Sequence, residues 1–408
     1  MIRYRASWVL PIAGPPIRDG WVVVDHGRIV AVGRRATTER AAAAGDLERD
    51  LGRVAIMPGL VNAHTHLELS YLRGRIPPAD EFVSWIRGVM AARRERPDPA
   101  GPEILLAVHD GIAEAVRCGT AVVGDISNTL VAFGPLTGSE LAGVLFYELI
   151  RFNTPDPRGV VEEASRRLDA LAPTERVRTS LAAHAPYSVA PLVLRGIREA
   201  VARDPFAPCT VHLSESRAEV EFIATGRGEW RRLLEELGSW DASWVPPGGS
   251  PVQYLDESGF LDGRVLAVHG VQMTGADLAR LAARGATLVT CPRSNRHTGA
   301  GTPPLEQFYA SGVPVAVGTD SLASAPDLSV FAELAALRAL APAVPAASLL
   351  ESATRVGARA LGFDADFGTI EPGKRARLIA VSVPDATTDV EEYLVSGILP
   401  EQIRWIET

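Results

Sequence analysis

Short apolar runs alternate along most of this chain with longer stretches in which apolar positions return every three or four residues. Runs of that kind read as buried strands, and the 3.6-residue spacing reads as amphipathic helices. Eight such strands are predicted, at 54–63, 121–126, 143–149, 178–183, 209–212, 265–269, 287–290 and 313–318. Helical patterns fall between them, over 103–117, 160–171, 192–203, 275–284 and 328–340. Eight strand-helix units are the count of a closed (β/α)8 barrel, an α/β fold whose chemistry sits at the C-terminal ends of the strands.

The two ends of the chain have a different texture. Ser7-Trp8-Val9-Leu10, Trp21-Val22-Val23-Val24 and Ile29-Val30-Ala31-Val32 are short strand patterns, and Asp25-His26-Gly27 between the last two is a hairpin signal. Leu378-Ile379-Ala380-Val381 and Ile403-Arg404-Trp405-Ile406 repeat that texture at the far end. The expected organisation is a small β-sandwich domain built from both termini, residues 1–55 plus 366–408, around a TIM-type barrel over 56–365.

Length agrees with that picture, since 408 residues exceed the ~250 of a bare barrel. With 47% hydrophobic and 22% charged residues, the whole chain is expected to be globular. A net charge of -8 without a basic stripe argues against a nucleic-acid partner. No apolar run reaches the ~18 residues of a membrane span. Three scattered cysteines, Cys118, Cys209 and Cys291, suit a reducing cytoplasm rather than a disulfide framework. The expectation is a cytoplasmic enzyme acting on a small molecule, without nucleic acid or membrane.

Candidate chemistry gathers where a barrel needs it. His64 and His66 end the first predicted strand, His184 the fourth, His212 the fifth with Glu215 just beyond, His269 the sixth, and Asp320 follows the eighth. Residues i and i+2 of a strand share a face about 7 Å apart, so His64 and His66 can converge on one cation. Five of the eight histidines at one end of the barrel are hard to produce without a shared ligand. A borderline divalent ion takes imidazoles with one carboxylate and keeps a position open for water. His64, His66, His212 and Asp320 would supply that set. Zinc is the first choice, with iron or manganese as alternatives. Glu215 and His269 are then placed to move protons and to orient water.

These pieces resemble the amidohydrolase superfamily in its mononuclear deaminase and chlorohydrolase branch. The matching motifs are Pro58-Gly59-Leu60-Val61-Asn62-Ala63-His64-Thr65-His66, His212-Leu213-Ser214-Glu215, Val268-His269-Gly270, Cys291-Pro292-Arg293-Ser294-Asn295, Gly318-Thr319-Asp320 and Gly368-Thr369-Ile370-Glu371-Pro372-Gly373-Lys374. The resemblance implies that His64, His66, His212 and Asp320 bind one metal while Glu215, His269 and Asp320 act in catalysis. It also implies the terminal sandwich and a homodimer. The only lysine is Lys374, so the lysine-bridged two-metal centre of some relatives is excluded by inventory.

Within that branch the motifs imply hydrolytic removal of ammonia from an aminopurine nucleoside. Glu68 and Ser70 just past the metal pair favour the aminodeoxyfutalosine type of menaquinone synthesis, and Leu72-Arg73-Gly74 partly keeps the S-adenosylhomocysteine/methylthioadenosine pattern. Triazine dechlorination and amide or imidazolone ring hydrolysis use the same machinery. A metal-free scaffold would lack ligands, and none is missing. Position in the chain nominates His184, Glu68, Trp85, Arg151, Arg293 and His297 as substrate contacts. Among these, Trp85 would stack on a ring, Glu68 would meet a ribose hydroxyl, and Arg151, Arg293 and His297 would meet a carboxylate.

Overall fold

The computed structural model describes residues 1–34 and 47–407. The amino-terminal strands are β1 (Ile2–Val9), β2 (Ile17–Asp25), β3 (Arg28–Arg34), β4 (Leu47–Asp50) and β5 (Val54–Pro58). The barrel strands are β6 (Leu60–Thr65), β7 (Thr120–Ser127), β8 (Ala142–Leu149), β9 (Val177–Ala183), β10 (Cys209–Leu213), β11 (Val265–His269), β12 (Thr287–Thr290) and β13 (Val315–Val317). β14 (Leu378–Ser382) and β15 (Ile403–Trp405) close the chain. β6 to β13 form one eight-stranded sheet in sequential order, parallel throughout, as strand-helix alternation requires.

The expected first strand, 54–63, is two strands in two sheets. β5 pairs with β1 and β14 in a seven-stranded sheet built from both termini, whereas β6 opens the barrel. Gly59 is the crossing point. Its N–H meets the Arg377 carbonyl at 2.9 Å, while the next N–H, of Leu60, meets the Gly119 carbonyl at 2.8 Å. A Cβ at Gly59 would lie 2.6 Å from the Ala121 side chain and 2.9 Å from Trp405, so only glycine fits. An uninterrupted apolar run conceals such a change of partner, because both halves are buried. The predicted hairpin does form: Asp25 pairs with Arg28, and His26 and Gly27 take φ of 47° and 73°, as a tight two-residue turn demands.

The predicted helices appear within a few residues of expectation, at Pro102–Arg117, Pro157–Asp169, Pro191–Val201, Gly275–Arg284 and Val330–Leu340. Several start on proline, whose missing N–H costs nothing in the first turn. Further helices at Phe82–Arg94, Arg217–Thr225, Glu229–Glu236 and Pro251–Glu257 follow β6 and β10. Residues of the first and third of these cover the strand ends. No helix among the described residues is long and apolar enough to cross a membrane.

Closure of the barrel rests on few bonds. β13 is only three residues long, and beyond it a single bridge pairs Thr65 with Asp320. The N–H groups of Thr319 and Asp320 both meet the His64 carbonyl at 3.1 Å. Asn62 adds a side-chain clasp, its Nδ2 donating to Thr319 Oγ1 at 2.7 Å and its Oδ1 accepting from Thr319 N at 3.0 Å. Asn62 is fully buried, so truncation leaves stranded polar groups at the seam. Asn62→Ala is expected to lower stability by about 1–3 kcal/mol in denaturant titrations. An unchanged midpoint would show that the clasp contributes nothing to closure.

Candidate active site

Three imidazoles and a carboxylate meet at the C-terminal mouth of the barrel. His64 and His66 leave β6 on one face, and Asp320 arrives across the seam just described. Asp320 Oδ1 lies 3.7 Å from His64 Nε2 and 3.4 Å from His66 Nε2. The His212 ring, from β10, stands 5.0 Å from the His64 ring and 5.5 Å from that of His66, centroid to centroid. Tetrahedral bonds of about 2.1 Å place neighbouring donors about 3.4 Å apart, so the Asp320 spacings suit a small divalent cation.

Two further observations fit a metal there. Both nitrogens of His64 are buried without any hydrogen-bond partner, which native structures rarely tolerate unless something else binds them. Burial also pushes the pKa of His66 and His269 well below the ordinary histidine value, and that of His212 down to about 4. These rings are therefore neutral, which leaves those of His66 and His212 ready to ligate. Burial acts to raise Asp320, and the facing imidazoles of His64, His66 and His269 overcome it, keeping the carboxylate ionised. His212 Nδ1 is taken by the His184 carbonyl at 2.9 Å, which leaves Nε2 as its ligand atom.

Glu215 and His269 lie beside this set, with Glu215 Oε1 3.5 Å from His269 Nε2. Burial, with the charges of Asp320 and Glu219 behind it, pushes the Glu215 carboxyl well above its usual range. A carboxyl of that kind can carry a proton near neutral pH. Its turn is locked by Glu219, a buried residue whose two oxygens accept from the N–H groups of Ser214 and Glu215, each at 2.8 Å. Ser214, His269 and Asp320 adopt positive φ of 52°, 76° and 58°. Non-glycine residues avoid this region at a cost of about 1–3 kcal/mol each, and their concentration at the strand ends marks a functional site.

Neighbouring side chains brace the rest. Ser294 donates to Asp320 Oδ2 at 2.5 Å and Ser324 does so at 3.2 Å, turning Oδ1 toward the histidines. The Asn295 amide meets His269 Nδ1 at 2.9 Å. Sequence reasoning missed the roles of Glu219, Ser294, Asn295 and Ser324. Only Ser294 and Asn295 carried a signal, as parts of the motif that begins at Cys291.

A cavity of about 320 Å³ opens above these groups, lined at its base by His66, His184, His212, Glu215, His269 and Asp320. Leu69, Phe82, Trp85, Tyr187, Trp230 and Leu233 build an apolar wall, in which Tyr187 stacks on Trp230 at 3.7 Å. Trp85 and Arg151 line the cavity; Arg151 Nη1 donates to the Ile150 carbonyl at 2.8 Å, and Arg151 forms no ion pair among the described residues. Three nominated contacts lie elsewhere. Glu68 is spent on the loop after β7, accepting from Ser127 Oγ and Thr129 Oγ1 at 2.6 Å and from the Asn128 and Thr129 N–H groups at 3.1 Å. Arg293 is bound to Glu333 at 2.6 Å and to Asp327 at 2.9 Å. His297 Nε2 meets the Ile76 carbonyl at 3.0 Å. Arg293 and His297 flank Ser294 and Asn295 on the helix Pro292–His297, where about 100° of rotation per residue sends neighbours to different sides.

Relatives of known name share this architecture. The chain is 34% identical over 356 residues to the aminodeoxyfutalosine deaminase of Deinococcus radiodurans, covering 82% of this chain and 81% of that protein. It is 30% identical over 410 residues to the 5-methylthioadenosine/S-adenosylhomocysteine deaminase of Moorella thermoacetica, covering 95% and 88%. The crystal structure of an adenosine deaminase from Xanthomonas campestris with bound zinc superposes with a TM-score of 0.83 at 28% identity, covering 98% of this chain and 90% of that one. Residues 55–399 match the amidohydrolase family, and the chain belongs to that family, as a hydrolase of carbon–nitrogen bonds.

Proposed function

We propose that the protein is a zinc-dependent hydrolytic deaminase of an adenosine-type nucleoside, with 6-aminodeoxyfutalosine as its substrate. The observation that carries the deaminase reading is the meeting of His64, His66, His212 and Asp320 with the proton-carrying pair Glu215 and His269 in one buried cavity. His64, His66, His212 and Asp320 would hold a divalent ion, which would supply Lewis-acid activation of the attacking water near neutral pH. Glu215 gives its proton to the ring nitrogen beside the reacting carbon, regains one from the attacking oxygen and passes that to the departing amine, which leaves as ammonia. His269, fixed by Asn295, orients the attacking water. His184, with its pKa lowered by burial to about 4, offers a neutral ring to the substrate.

The narrower assignment rests on the Deinococcus relative and on the cavity. Its wall of Phe82, Trp85 and Trp230 suits an apolar arm on the nucleoside, and Arg151, whose side chain hydrogen-bonds only to the Ile150 carbonyl among the described residues, suits a carboxylate at the end of that arm. A polar homocysteine arm would gain little from such a wall.

Glu215→Gln should lower kcat by roughly a hundredfold or more, with metal content near wild type. Full activity in that variant would remove Glu215 from the proton path. Asp320→Ala should lose both metal, by elemental analysis, and activity; a variant that kept its metal would dismiss Asp320 as a ligand. Ultraviolet absorbance with adenosine, methylthioadenosine, S-adenosylhomocysteine and 6-aminodeoxyfutalosine should give the highest kcat/KM for the last. Faster turnover of any other nucleoside would discard the narrower assignment and keep the deaminase.

A further inference from the structure

Glu148 is a buried carboxylate at the mouth of the barrel to which the reaction above gives no task. It sits near the end of β8 and faces the metal ligand His212 from behind. Its Oε2 accepts from Asn128 Nδ2 at 2.8 Å. Its Oε1 has no hydrogen-bond partner and lies 3.4 Å from His212 Nδ1. The direction of the Asn128 amide is not free, because Arg93 donates to its Oδ1 at 3.0 Å. The amide nitrogen must therefore face Glu148, which fixes Oε2 as the clamped oxygen and Oε1 as the open one.

His212 has one N–H on Nδ1, and it points at the His184 carbonyl, 2.9 Å away. The open oxygen of Glu148 stands beside that same N–H. A ring N–H shared between a carbonyl and a carboxylate is more strongly polarised, which makes the opposite nitrogen a better electron donor and holds the ring in one orientation.

We propose that Glu148, clamped by Asn128 and Arg93, is a positioning residue for His212 that raises the affinity of the site for its cation. The inference rests on the metal reading of His64, His66, His212 and Asp320. It adds a residue on β8 that no ligand motif contains.

Zinc affinity measured by chelator competition on the full-length apoprotein tests it. Wild type should bind one equivalent, and Glu148→Gln should bind it about 10- to 100-fold more weakly, with the apoprotein melting temperature unchanged. Cobalt substituted for zinc should give a visible spectrum shifted from wild type, which a loss of packing elsewhere would not produce. Glu148→Asp, which keeps the charge, should recover part of the affinity. Affinity of Glu148→Gln within about threefold of wild type would overturn the proposal. So would loss of one of two bound equivalents, which would make Glu148 a direct ligand of a second ion. If Glu148→Gln melts early, Asn128→Ala decides, since releasing the clamp must also weaken zinc binding. Wild type that binds no zinc would sink the metal reading itself, a result distinct from either.

Discussion

The contact between the first and last barrel strands is the constraint on which the site depends. His64 and Asp320 stand far apart in the chain, and they share a centre only because the sheet curls until β6 and β13 are neighbours. The bonds that achieve this are few: one bridge, two N–H groups on the His64 carbonyl, the Thr65 hydroxyl on the Asp320 carbonyl, and the Asn62 clasp. The residue whose carbonyl receives them is itself a candidate metal ligand. Fold closure and site assembly are thus one event, and a bound cation would hold the same seam from the other side.

Around this seam the backbone is held where it does not go unaided. Left-handed conformations occur at Ser214, His269 and Asp320, and the side chains of the last two line the mouth of the barrel. Each is over-determined by buried polar partners: Glu219 beneath Ser214 and Glu215, Asn295 beneath His269, Ser294 and Ser324 beneath Asp320. Local strain of this kind survives only in a surround that resists relaxation. The outer polar layer therefore does for direction what the strands do for position.

The wall of the cavity follows different rules from its base. The base residues come from strand ends, whose geometry the barrel dictates. Much of the wall comes from the helices Phe82–Arg94 and Glu229–Glu236, inserted between barrel strands and packed through aromatic contacts such as Tyr187 on Trp230. Binding at the base is set by charge and ligand chemistry, while the wall offers apolar area and the Arg151 guanidinium. This division separates the residues that would hold a metal from those that would meet the distal part of a substrate.

The barrel, its terminal sheet and the residues at the strand ends were legible in the chain because each follows from local periodicity: an apolar run, then a polar residue where the run stops. His64, His66, His212, Glu215, His269 and Asp320 all satisfy that rule. The division of 54–63 at Gly59 was not legible, since burial against one sheet and burial against another look alike in sequence. Nor were the fates of Glu68, Arg293 and His297. Each lies near the site in the chain, yet its direction depends on partners contributed by distant segments: the Ser127–Thr129 stretch, Glu333 and Ile76. Sequence determined which chemistry the strand ends carry. Only the tertiary structure decided which charges remain free to use it, because a long polar side chain goes where its buried partner is.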